Sequence, residues 1–232
     1  MADGENKVFL ITGASTGIGA ATARMAVEAG YRVVLSARSQ DKLEALAAEL
    51  GGDDRALAVP ADVSMWEENQ KLAQAALDRF GQLDVVFANA GFGAQRSFLG
   101  DSVEHWRAMV LTNVYGAALT IRATLPGLKE TRGHLLLTGS VAGRRYIPGS
   151  LYSATKHAVH GMAESVRQEL DGTGARVTLI APGIVDTPFF ENLPLEQPLV
   201  AEDVARAVVF ALSQPRHVDV NEILVRPTAQ PL

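Results

Sequence analysis

Tyr152 and Lys156 stand four residues apart in a stretch that patterns as a helix, twelve residues after Ser140 at the end of an apolar run. An α-helix brings positions i and i+4 onto one face, so the Lys156 ammonium can lie beside the Tyr152 phenol and favour its ionised form. A phenol titrates near ~10, and a charge ~4 Å away at an effective dielectric of ~20 is worth at most about 4 kcal/mol, or about three pH units. Tyr152 is therefore expected to exchange a proton near neutral pH. Such a pair also arises by coincidence, and what raises it is a second signal. The run Thr12-Gly13-Ala14-Ser15-Thr16-Gly17-Ile18-Gly19 follows an apolar strand and opens a helix near Gly17. Gly13 suits a tight turn, Gly17 lets backbone approach a pyrophosphate at a helix N-terminus, and Gly19 lets helix and strand pack closely. Ser15, Thr16 and Ile18 complete the expected phosphate cradle.

The second strand ends Val-Val-Leu-Ser-Ala-Arg, which puts Arg38 where a dinucleotide fold reads the adenosine ribose. A carboxylate there would accept from the ribose hydroxyls and repel a 2′-phosphate, whereas Arg38, helped by Ser39, offers donors and positive charge to that phosphate. NADP(H) is thus expected over NAD(H). Asp62-Val63 and Asn89-Ala90-Gly91 follow the third and fourth strands, placing Asp62 toward an adenine and the Asn89–Gly91 backbone toward the adjoining ribose.

These residues need a frame that collects strand ends. Apolar runs at Val8–Thr12, Arg32–Ser36, Ala56–Pro60, Leu83–Ala88, His134–Thr138, Arg176–Ile180 and Glu222–Val225 alternate with helical patterns beginning near Gly17, Gln40, Ser64, Val103, Leu151 and Ala201. Continuous apolar strands alternating with helices indicate a Rossmann-like, doubly wound α/β fold: a seven-stranded parallel sheet with helices on both faces. Residues 1–232 are expected to form one domain, with Gly51–Asp54 as a helix-to-strand turn. There is no cysteine, which excludes disulfides, thiolate catalysis and cysteine-ligated metal, and no metal site is expected. A net charge of −5 with dispersed Lys and Arg gives no footprint for nucleic acid or an anionic membrane surface. A polar, acidic start without an apolar stretch behind it points to the cytoplasm, and the expected partner is a small molecule.

Across essentially its full length the chain resembles the short-chain dehydrogenase/reductase family. The resemblance rests on the Thr12-Gly13-x-x-x-Gly17-Ile18-Gly19 loop, Asn89-Ala90-Gly91, Asn113, Ser140, Tyr152-x-x-x-Lys156 and Pro182-Gly183. It implies an NADP(H)-dependent oxidoreductase interconverting a small carbonyl compound and its alcohol by hydride transfer. Tyr152 would be the acid/base, and Ser140 would polarise the substrate oxygen. Lys156 would bind the nicotinamide ribose and depress the Tyr152 pKa, and Asn113 would hold a water in a proton relay. Pro182, Gly183, Val185 and Thr187 would bracket the nicotinamide. It also implies a homotetramer or homodimer.

Two rival functions share the loop: a non-catalytic dinucleotide sensor, and a cofactor-retaining epimerase or dehydratase. Ala88 and Gly139 stand where the family often has Asn and Ser. The segment from Thr187 to Leu199 is short for a substrate cover, which predicts an open pocket read by Phe92, Tyr146, Phe189 and Phe190. Arg144 and Arg145 invite an anionic substrate, but solvated loop arginines are the commoner reading.

Overall fold

The structure is a computed structural model describing residues 4–190 and 193–230. Seven parallel strands form one sheet: β1 (Val8–Thr12), β2 (Arg32–Ala37), β3 (Ala56–Pro60), β4 (Val85–Ala88), β5 (His134–Thr138), β6 (Arg176–Pro182) and β9 (Glu222–Val225). Their order is β3-β2-β1-β4-β5-β6-β9, so the winding reverses between β1 and β4 and opens a crevice at the strand C-termini, where ligands bind in such sheets. Residues along β1 alternate between two cores. Phe9 and Ile11 face one side, with α1 (Gly17–Glu28), α2 (Gln40–Glu49) and α7 (Ala201–Ser213) packed there through Ala23, Leu43 and Val208. Val8 and Leu10 face the other, against α3 (Trp66–Phe80), α5 (Ala117–Thr131) and α6 (Leu151–Glu169) through Leu72, Leu128 and Val159. With both faces covered, β1 is buried at every position, and truncating Leu10 to Ala would cost about 2–5 kcal/mol.

The sequence-expected strands and helices are present, with shifted ends. β4 begins at Val85 because the Asp84 carboxylate is turned back to accept from the Val8 amide at 2.8 Å. α3 begins at Trp66 because Asp62 Oδ1 accepts from both the amide (2.9 Å) and hydroxyl (2.7 Å) of Ser64, making a turn where a helix was expected to start. Gly51–Asp54 is a turn as expected, with Gly51 at φ 106° leading into a 3₁₀ segment. The helix from Val103 continues through α4 (Val103–Val110), a π segment (Leu111–Gly116) and α5. That run of 29 residues is long and apolar enough to span a membrane by length and composition, but here it packs on α3, α6 and the sheet. A two-residue pair unforeseen from the sequence, β7 (Val185–Asp186) with β8 (Leu199–Val200), ties the two ends of the short 187–199 segment together.

Candidate active site

The floor of the crevice is a chain of polar contacts across the strand ends. Thr12 Oγ accepts from the amides of Asn89 (3.0 Å) and Ala90 (3.1 Å) and donates to the Phe87 carbonyl (3.3 Å). Asn89 Nδ2 donates to the Thr12 carbonyl (3.0 Å), and its Oδ1 accepts from Thr138 Oγ (2.9 Å). Lys156 Nζ donates to the Thr138 carbonyl at 2.7 Å, which carries the network from β1 through β4 and β5 into α6. Two glycines are required for this closeness. A Cβ on Gly19 would lie 2.3 Å from the Gly13 carbonyl oxygen, and Gly13, at φ 65°, would place one 2.9 Å from Ala90 Cα.

Ser140 leaves β5 and meets Tyr152 at the start of α6. Ser150 caps that helix, its hydroxyl accepting from the Ser153 amide at 3.1 Å. Ser153 Oγ lies 2.5 Å from the Ala142 carbonyl and 2.8 Å from that of Arg145, which fixes the loop behind Ser140 to the helix. Ser140 Oγ accepts from the Ala142 amide at 3.1 Å, and its proximity to the Tyr152 phenol favours the phenolate. Lys156 Nζ lies 5.6 Å from the centre of the Tyr152 ring.

The sign of the Tyr152 shift is opposite to that expected from the spacing. Burial pushes the phenol up to about 12, against the weaker pull of the Ser140 hydroxyl. Lys156 is 4% exposed, and burial lowers its ammonium to about 8. The spacing brings the two side chains together as expected, but burial of the phenol sets the direction of the shift, and the ammonium is directed to the Thr138 carbonyl.

Asn113 sits in the π segment, a local widening of the helix often found at functional sites. Its side-chain amide is engaged by the protein: Oδ1 accepts from the Phe92 amide (3.0 Å), while Nδ2 donates to the Phe92 carbonyl (2.9 Å) and Thr155 Oγ (3.2 Å). Asn113 thereby clamps the turn after β4 to α6, and Gly91 leaves room for it.

A cleft of about 410 Å³ runs along this floor. Gly13, Thr16, Gly17 and Ile18 line it together with Asn89, Ala90 and Gly91, Ser140, Tyr152 and Lys156, and Pro182, Gly183, Val185 and Thr187. Phe92, Phe189 and Phe190 supply apolar wall, with Phe189 edge-on to Tyr152 at 5.4 Å between ring centres. Ile147, Arg96, Pro194 and Gln230 also line it and were missed, because they come from loops with no motif.

Several expected residues are not brought in. Tyr146 is 94% exposed and stacks on His157 away from the cleft. Arg144 pairs with Glu222 of β9, so it holds the fold rather than a substrate, and Arg145 is exposed. Ser15, Arg38, Ser39, Asp62 and Val63 lie outside the cleft lining, and Gly19 is buried beneath it. Asp62 is held in its turn with Ser64, and Val63 is buried against Gly116.

The residues present fit a dinucleotide. Thr16 caps α1 without a side-chain bond, leaving the first helical amides to a phosphate, and Gly17 is at φ 54°. Ser39 caps α2 with its hydroxyl likewise uncommitted, beside an exposed Arg38 at the end of β2. Among the described residues no cluster of His, Asp and Glu could hold a metal ion.

A family model for short chain dehydrogenases matches residues 7–198, and the chain belongs to that family, the short-chain dehydrogenases/reductases. An uncharacterized oxidoreductase of Staphylococcus aureus (strain MRSA252) is 40% identical over 226 residues, covering 96% of this chain and 97% of the relative. Among solved structures, an alcohol dehydrogenase from the archaeon Thermococcus sibiricus complexed with 5-hydroxy-NADP is 35% identical with a TM-score of 0.90, covering 97% of this chain and 98% of the other. A closed form of serine dehydrogenase complexed with NADP+ is 31% identical with a TM-score of 0.90, over 97% of this chain and 96% of that one. The chain is thus an oxidoreductase of this family.

Proposed function

We propose that the protein is an NADP(H)-dependent reductase that interconverts a small carbonyl compound and its alcohol, with Tyr152 as the acid/base. The observation that carries this reading is that Ser140, Tyr152 and Lys156 line the same cleft as the Gly13–Ile18 loop. The glycine loop and the α1 amides would hold the pyrophosphate, and Arg38 and Ser39 the 2′-phosphate. Lys156 and the Asn89–Gly91 backbone would hold the nicotinamide ribose. When bound, the dinucleotide supplies or accepts the hydride, and its oxidised ring adds a positive charge that favours the phenolate.

Tyr152, pushed up to about 12, holds its proton at neutral pH, so the resting site is an acid ready to donate to a carbonyl oxygen. Ser140 donates a hydrogen bond to the same oxygen as negative charge develops on it. Asn113 keeps the Phe92 turn, and with it one wall of the substrate space, fixed against α6. The wall of Phe92, Phe189 and Phe190 favours a substrate with an apolar body. The NADP named in the complexes of two similar proteins supports the cofactor choice. Residues 1–232 act as one domain in the cytoplasm. Phe98, Val103, Val110 and Tyr115, exposed on and beside the Val103–Thr131 helix, favour assembly into a homo-oligomer, which size-exclusion chromatography with light scattering tests.

The deciding experiment follows NADPH absorbance with a panel of aldehydes, ketones and semialdehydes for the wild type and Tyr152→Phe. Loss of general acid catalysis should lower turnover about 10²- to 10⁴-fold with NADPH affinity kept. Equal turnover in the variant refutes the role of Tyr152. Tight NADPH binding with no oxidation on any substrate refutes the reductase.

A further inference from the structure

At the other end of the sheet, where the strands begin, lies a second cavity of about 310 Å³ that the proposed reaction does not use. It is bounded by the starts of β4, β5 and β6 and by the C-terminal ends of α5 and α7. Among the described residues, Lys7, Arg132, Arg176 and Arg216 line it, with Tyr31 and one carboxylate, Asp84. Asp84 Oδ2 already accepts from the Val8 amide and from Gln82 Nε2, both at 2.8 Å. Arg176 is pinned by bonds from Nη1 to the carbonyls of Gln214 (3.2 Å) and Val218 (3.1 Å), and Asp219 nearby offsets part of its charge. Arg132 and Arg216 make no ion pair among the described residues. The wall is therefore cationic.

His134 makes the cavity more specific. It lines the wall, is 2% exposed, and its Nδ1 is buried without a hydrogen-bond partner. Thr178 Oγ commits its one hydrogen to the Val220 carbonyl at 2.6 Å, so at its 2.7 Å contact with His134 Nε2 it must accept. Nε2 thus carries the ring proton, and Nδ1 is a bare acceptor. Burial and Arg176 lower the ring to about 3, so the imidazole is neutral under ordinary conditions. Cations around a hydrogen-bond acceptor call for a ligand that is anionic and still protonated. Sulfate has no hydrogen to give, and a phosphate monoester, with a second pKa near ~6, has lost most of its own at pH 7. Inorganic phosphate keeps at least one.

We infer that this cavity binds inorganic hydrogen phosphate, Arg132, Arg176 and Arg216 meeting its charge and His134 Nδ1 accepting its hydroxyl. The inference stands apart from the oxidoreductase reading. The test is thermal unfolding and calorimetric titration of the full chain with sodium phosphate, sodium sulfate and glycerol phosphate at equal ionic strength. Saturating NADPH, or the Arg38→Gln variant, keeps the 2′-phosphate region from contributing. Phosphate should raise the melting temperature by mass action, more than either competitor. The Arg132→Gln/Arg216→Gln variant, altered only at exposed positions, should keep its fold and NADPH oxidation while binding phosphate about tenfold more weakly. Glycerol phosphate binding better than phosphate would make the site one for esters and overturn the assignment. An equal response to sulfate would remove the role of Nδ1, and no phosphate response, or one unchanged in the double variant, would leave His134 to an ordered water and refute the site.

Discussion

Replacing Lys156 with Met should make the protein more stable while abolishing its proposed activity. Burial lowers the Lys156 ammonium from 10.5 to about 8. A drop of about 2.5 pH units at ~1.36 kcal/mol each means that holding this cation charged at pH 7 costs about 3 kcal/mol of folding free energy. Methionine has similar length and no charge. It leaves the Thr138 carbonyl without its 2.7 Å donor, a loss of about 1 kcal/mol. The net expectation at pH 7 is a gain of about 2 kcal/mol, or roughly 4–8 °C in melting temperature for a chain of this size.

The pH dependence is the sharper part. Between pH 8 and 10.5 the unfolded chain keeps the Lys156 proton and the native one has lost it, so wild-type stability from this group rises with pH in that window. The advantage of Lys156→Met should therefore shrink from pH 8 toward 10.5. Tyr152, raised from 10 to about 12, acts only above pH 10 and with the opposite sign, since there the unfolded phenol ionises first. Urea denaturation of both proteins at pH 7, 8, 9 and 10 measures this. A variant less stable than wild type at pH 7, or a difference that does not change with pH, would refute the argument that burial of Lys156 is paid against stability for function.

Gly139→Ala should destabilise by about 1–3 kcal/mol, because the new Cβ would lie 2.8 Å from His160 Nε2 and 3.0 Å from Leu179 Cδ1. Adding His160→Ala should relieve most of that, and additivity of the two changes in a denaturation cycle would show no contact between them. Arg38→Gln should raise the NADPH dissociation constant about ten- to hundredfold and leave that of NADH unchanged, the range expected for a lost charge-assisted bond. Equal effects on both in fluorescence titrations would place the 2′-phosphate elsewhere. On the acid side, burial lowers His134 to about 3 and His160 to about 4 from 6.5, so below pH 6.5 the unfolded chain takes up protons the native one refuses. Melting temperature should fall as pH drops from 6.5 toward 4, and His160→Gln should flatten part of that slope.

What the sequence made legible was whatever a short-range period encodes. The strands and helices followed from apolar runs and caps, and their alternation implied a parallel sheet whose C-terminal edge gathers Gly13, Asn89, Ser140 and Gly183. β7 and β8 carried no such signal, since two residues have no period; the pairings of Val185 with Leu199 and Asp186 with Val200 define them. Asn113, Asp62 and Arg144 were legible as polar residues near the site, but their partners Phe92, Ser64 and Glu222 were not, because loop and strand geometry sets them. Gly139 read as a departure from the family pattern, and its reason, the His160 ring against its backbone, lies on a helix 21 positions away. Tyr152 and Lys156 show the boundary most clearly. Spacing of four on a helix established that the two are neighbours, and adjacency alone argues for a lowered phenol. Depth in the fold is a property of the whole sheet and its flanking helices, and it reverses that sign by disfavouring both charges at once. The resting pair is an acid beside a strained cation. Any positive charge brought to the Tyr152 side of the cleft would lower the phenol, so the same burial that silences the free site gives a bound cofactor large leverage over its proton.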